Sequence, residues 1–137
     1  MENVNAESPG NAGSPEKWHE VRQTLLEFAL RLPETYEDHP WGETVVKVNK
    51  KIFLFLGVER PTEKWSPNVG VKLPRSNGHA LALEGIRPSG YGLGKAGWVT
   101  IPLLGELPET EVLLDWVEES YRAVAPRRLV ALLDAPG

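Results

Sequence analysis

The residues whose type and spacing could do chemistry are the lysines and arginines of the middle third, and that chemistry is the holding of anions. Residues 47–100 carry Lys47, Lys50, Lys51, Arg60, Lys64, Lys72, Arg75, Arg87 and Lys95 against Glu59, Glu63 and Glu84, a local charge of +6. Residues 1–46 stand at −6 and residues 101–137 at −4, so the overall charge of −4 hides a basic segment between two acidic ones. Such a segment is the electrostatic footprint of an anion-facing surface. The competing reading pairs a basic sheet with acidic helices across the surface of one domain, since charge runs are often solvated faces.

Motifs that would carry catalysis dissolve on inspection. Gly92-Leu93-Gly94-Lys95-Ala96-Gly97 spells G-x-G-x-x-G. A dinucleotide site needs a helix after those glycines, so that phosphate meets a helix N-terminus. Here Trp98-Val99-Thr100-Ile101 follows, a strand by its composition. As a phosphate loop the string also fails, with Ser89 in place of the leading glycine and Ala96 in place of the hydroxyl residue. His19, His39 and His79 are spread over different elements without ligand-like spacing. Ser120 has no nucleophile-elbow context, and Glu37-Asp38 and Glu118-Glu119 read as solvated faces. With no cysteine there is no thiolate nucleophile, disulfide or cysteine-held metal. The expectation is a domain without catalysis, cofactor or metal.

The frame that must position the cations is short. A chain of 137 residues with 41% hydrophobic and 25% charged residues suits one globular domain. Its longest apolar run, Ile52–Val58, is far below the roughly 18 residues of a membrane span. The N-terminus lacks the basic-then-apolar pattern of a signal peptide, and a soluble cytoplasmic protein without a membrane partner is expected. Residues 1–13 offer little to bury and read as a disordered tail, leaving 14–137 as the single domain.

Ser14-Pro15-Glu16 reads as a helix start. Trp18, Val21, Leu25, Phe28 and Leu32 then recur at helical spacing until Pro33. Pro33–Gly42 reads as a turn-rich connector. The period next changes to two: Glu43–Val48 and Lys51–Val58 flank Asn49-Lys50, a tight hairpin turn. With a two-residue turn Val48 pairs with Lys51, which places Val46, Val48, Phe53 and Phe55 on one face. Val45, Lys47, Ile52, Leu54 and Leu56 take the other, and a one-residue slip would reshuffle both sets. A loop holding Trp65 leads to a strand at Val69–Leu73, and Asn77 starts a short helix closed by Gly85. Tyr91–Leu93 and Trp98–Leu103 read as further strands. Pro108 starts a helix with Leu113, Trp116, Val117, Ser120, Tyr121 and Val124 on one stripe, and Arg127–Leu133 forms the last helix. Trp18 and Trp116 should be buried over the sheet. The order predicts an α+β fold, a two-layer α-β(3)-α-β(2)-α domain with an antiparallel sheet and helices mainly on one face.

Several strings in this order resemble the MmcQ/YjbR family: Leu32-Pro33-Glu34-Thr35, Pro40-Trp41-Gly42, Lys50-Lys51-Ile52-Phe53, Val71-Lys72, Gly94-Lys95-Ala96-Gly97-Trp98-Val99 and Glu119-Ser120-Tyr121. The resemblance spans about residues 15–133. It implies a double-wing arrangement likened to frataxin-like (CyaY-like) and secretion-chaperone-like folds, and a family regarded as DNA-binding on grounds of fold. Iron binding does not carry across, because Glu16, Glu20 and Glu27 are interspersed with Lys17, Arg22 and Arg31.

Two functional readings stand. In the first, Lys47, Lys50, Lys51, Lys72, Arg75 and Lys95 meet the phosphates of DNA or another nucleic acid from strands and turns, positioning it without reading its sequence. In the second, the apolar sheet face and Trp65 bind a protein partner, a small ligand or a second copy of the chain. Clustering of the lysines on one exposed part of the surface favours the first; pairing with the flanking acids favours the second.

Overall fold

Residues 15–58, 60 and 66–135 are described by a computed structural model of the chain. The expected tail, Ser14 and Trp65 lie outside them. The first helix, α1, spans Pro15–Leu30. It ends in a tightened turn in which Leu32 N–H donates to Ala29 O, and the Thr35 hydroxyl reaches the Ala29 and Leu32 carbonyls at 2.8 and 3.0 Å. Helix ends leave carbonyls in need of partners, and Thr35 adds a donor to the Ala29 and Leu32 carbonyls while the chain turns. The expected connector therefore contains a strand, β1 (Thr35–Asp38), paired with β2 (Thr44–Val48). Strand β3 (Lys51–Gly57) follows through Asn49-Lys50, both at positive φ (52° and 67°). That is the backbone of a two-residue primed turn, with Val48 opposite Lys51 as expected.

Beyond the turn the expected faces do not survive intact. The ladder shifts register twice, so Val46 faces Leu54 and Val45 faces Phe55. A bulge sets two residues of one strand against one of its neighbour. Phe53 and Leu54 thereby both enter the core, whereas Phe55 turns to the opposite side. Phe53 meets Tyr121 edge-on at 5.3 Å, and Phe55 meets Trp98 at 5.2 Å.

Strand β4 (Asn68–Lys72) adds to β3, followed by the short helix α2 (Asn77–Leu81). The expected strand at Tyr91–Leu93 is instead a turn: Tyr91 and Gly92 are left-handed (φ 58° and 79°) and a 3₁₀ turn covers Leu93–Ala96. Its place is taken by β5 (Arg87–Pro88), beside β6 (Trp98–Pro102). Helices α3 (Thr110–Val124) and α4 (Arg127–Asp134) complete the chain. All pairings are antiparallel, in the order β1-β2-β3-β4-β6-β5.

One core cluster joins Trp18, Leu25, Leu113, Trp116, Tyr121 and Leu129 of the helices to Val46, Phe53, Leu54, Val71, Val99 and Ile101 of the sheet. The helices thus cover one face, as expected. Fully burying one such aliphatic or aromatic side chain is worth about 1.5–3 kcal/mol. Val45, Phe55 and Trp98 stand outside that cluster, on the face without helices. Among the described residues no helix is long and apolar enough to cross a membrane.

Candidate functional site

The topology brings most of the predicted cations to one end of the sheet. The β2–β3 turn carries Lys50 and Lys51. On β4, Val71 faces Leu54, so Lys72 lies level with Phe53 and Arg75 continues past the same end. Lys72 in turn faces Trp98, so Lys95 precedes β6 there as well. Lys50, Lys51, Arg75 and Lys95 are exposed and Lys72 is half-buried. None of the five enters an ion pair among the described residues.

Lys47 differs from the other five. Its ammonium lies 2.7 Å from the Asp38 carboxylate across the β1–β2 ladder. The bond from Lys47 holds the Asp38 carboxyl below its ordinary range, and the same bond raises Lys47. Trp65 lies outside the described residues.

Acids approach the same end from α3: Asp115, Glu118 and Glu119 line a cleft together with Arg75, Glu118 pairs with Arg122, and Glu119 holds backbone. Glu119 accepts from the backbone N–H groups of Arg75 and Ser76, at 2.7 and 2.9 Å, and from the Ser76 hydroxyl. Ser120 is fully buried; it donates to Phe53 O at 2.5 Å and accepts from Lys72 N–H at 2.8 Å. Tyr121 donates to Pro33 O at 2.8 Å. Three consecutive side chains thus tie α3 to the turn before α2, to two strands and to the end of α1. With its hydrogen on one carbonyl and its oxygen on one amide, Ser120 is occupied as a clamp.

The glycine-rich string is likewise structural. A Cβ on Gly94 would meet Pro88 Cβ at 2.8 Å and Ser89 O at 3.1 Å. Gly97 is left-handed (φ 98°), and its carbonyl accepts from Leu73 N–H and the Asn77 amide. These glycines fold a turn tightly against β4 and β5, and a strand follows, so no helix N-terminus faces a phosphate there.

Sequence reasoning missed a cleft of about 200 Å³ on the helix-free face, among whose lining are Phe55, Asn68, Gly70, Ser89, Leu93 and Thr100. A Cβ on Gly70 would come within 3.2 Å of Phe55, so the missing side chain leaves that ring its place. The Ser89 and Thr100 hydroxyls are 2.9 Å apart. The signal for the cleft was Gly70 within a strand, which often marks close approach of another group. Also missed was Tyr91, fully exposed on the turn leading to Lys95. Trp41 is similarly exposed, with φ 52°, between β1 and β2.

A fully antiparallel sheet with its described helices on one side defines a small two-layer α+β domain. The profile of the YjbR family matches residues 30–123, and the chain belongs to that family. A crystal structure of a protein from Pseudomonas syringae is similar at 25% identity and a TM-score of 0.57, over 75% of this chain and 97% of that one. No protein of curated function matches the chain.

Proposed function

We propose that this domain binds the phosphate backbone of nucleic acid through the end of the sheet bearing Lys50, Lys51, Lys72, Arg75 and Lys95, and that it catalyses no reaction. The observation carrying this reading is that separate segments deliver cations to one end where, among the described residues, no carboxylate forms an ion pair with them. Paired cations would be held by the protein's own acids, as Lys47 is. Five cations without an ion pair among the described residues raise the local potential for a polyanion. Phosphate contacts set position and not sequence, and nothing at this end resembles a base-reading helix. Binding is therefore expected to be weak, salt-sensitive and nearly indifferent to sequence.

The test is fluorescence anisotropy on labelled oligonucleotides from low to physiological salt. Log affinity should fall with log salt at a slope of about −0.9 per neutralised phosphate on duplex DNA. Replacing Lys50 and Lys51 by glutamine should flatten that slope by up to about two units. No binding at low salt, or binding indifferent to these lysines, would sink the reading.

A further inference from the structure

The helix-free face holds a feature that phosphate contacts alone do not use. We propose that the cleft over Phe55 and Gly70 receives one unpaired nucleobase, so that the ligand is a single-stranded nucleic acid. This rests on the reading of the sheet end as the phosphate site and adds what the strand does next to it.

Size is the first argument. Sites for drug-sized ligands run to about 300–1,000 Å³, and the cleft, at about 200 Å³, suits a single flat ring system. Chemistry is the second. Its lining joins the Phe55 ring and the Leu93 side chain to the Ser89–Thr100 hydroxyl pair. When one hydroxyl donates to the other, the pair keeps one O–H to donate and lone pairs to accept with. An apolar floor beside hydroxyls that both donate and accept fits the face and the edge of a base, and stacking on aromatics tolerates any base.

Charge is the third argument, because it gives the cleft a direction. Gly70 lies two residues from Lys72 along β4, and Leu93 two residues from Lys95. Glu43 lines the cleft beside Gly57 and Asn68, at the end of the sheet remote from the β2–β3 turn. A backbone phosphate is repelled at the Glu43 end and attracted at the other. The base therefore enters with its sugar–phosphate toward Lys72 and Lys95, where exposed Tyr91 offers a neighbouring base a second ring. A duplex presents its bases stacked and paired, and so cannot supply this contact without unpairing.

The experiment compares a labelled single-stranded oligonucleotide with a duplex of the same length, by anisotropy at low salt, on the full chain and two variants. Gly70→Ala sets a methyl group into the cleft lining 3.2 Å from Phe55, which must give way; Ser89→Ala with Thr100→Val removes the hydroxyls at partly exposed positions. The single strand should bind about tenfold tighter than the duplex, in line with one stacked base. Both variants should reduce that preference toward unity and leave duplex affinity and its salt slope unchanged. Should Gly70→Ala fail to fold, the hydroxyl variant decides alone. Equal binding of strand and duplex, or a preference that survives the variants, overturns the cleft while leaving the phosphate site standing. If neither nucleic acid binds at low salt, both readings fall together.

Discussion

The two faces of this sheet are built from the same strands and obey different rules. Toward the helices most positions are filled by carbon: Val46, Phe53, Leu54, Val71, Val99 and Ile101 meet Trp116, Val117 and Tyr121 in one cluster, with Ser120 as a buried polar exception. Away from them, Phe55 lies with Ser89, Thr100 and Asn68 around a cleft, with Trp98 against its ring and Lys72 opposite Trp98 on the next strand. A covered face must exclude water and so selects shape. An open face tolerates charge, and keeps it wherever no carboxylate neutralises it. The comparison teaches that stability and recognition are separable here, residue by residue, across one layer of backbone.

The sharpest way to break that comparison is to shorten one aromatic on each face. Phe53→Ala and Trp116→Ala should each cost about 3–5 kcal/mol, the usual range for a core aromatic, read as a fall in the denaturant midpoint. Phe55→Ala should cost less than half of that, because its ring is only partly buried. Equal losses at Phe53 and Phe55 would mean that the open face is a second core.

A smaller effect is expected at the polar clamp between the layers. Ser120→Ala strands Lys72 N–H and Phe53 C=O, and leaving buried groups unsatisfied costs about 1–3 kcal/mol. Chemical denaturation would measure it. A neutral result would show that the strands relax onto each other without the hydroxyl.

How much of this was legible in the sequence depends on which physical term decided each element. Helices α1 and α3 were readable because Trp18–Leu25 and Leu113–Tyr121 repeat at helical spacing and bury what that spacing aligns. The β2–β3 turn was readable because Asn49-Lys50 sits between two runs of period two. Strand β1 was not, since Thr35-Tyr36-Glu37-Asp38 has little apolar content and is ordered by pairing with β2 and by the Thr35 hydroxyl. The exchange of Phe55 to the open face was hidden for a different reason: a bulge is a property of two strands together. The cations were legible as types, and their gathering at one end followed only from the β3–β4–β6 order. That Lys47 is held by Asp38 required the β1 strand that the sequence had concealed.

Acid should loosen the molecule gradually. Asp38, Glu34 and Asp134 have carboxyls held below their ordinary values of 3.8, 4.5 and 3.8, chiefly by hydrogen bonds from Lys47, Arg128 and Arg122 respectively. A depressed folded pKa means that the stabilisation is complete above the ordinary value and is lost as pH falls through the folded one. All three are solvated pairs, and such pairs contribute little each. Melting temperature should therefore be level above about pH 5 and decline modestly below pH 4. Asp38→Asn should remove part of that decline, and should also free Lys47 to strengthen anion binding. At the other extreme, burial lifts the Tyr121 hydroxyl above its ordinary 10.0, so the fold should lose stability as pH rises past that value.

The smallest effect on stability belongs to the cations themselves. Lys50→Gln with Lys51→Gln should change folding by less than about 0.5 kcal/mol, as exposed substitutions usually do, while removing much of the salt dependence of binding. A thermal melt beside the anisotropy titration checks both. Loss of stability comparable with Ser120→Ala would mean that the lysines serve the fold.

The borders of the sheet decide how the molecule behaves when crowded. An unpaired strand at a border invites another chain to continue the ladder. On one side that border is β5, only two residues long, and one of the two is Pro88, which has no N–H to offer. On the other it is β1, four residues long, with Glu37 and Asp38 among them. A neighbouring copy would find a stub on one flank and its own carboxylates repelled on the other. Open-ended stacking into fibres is thereby disfavoured at both flanks.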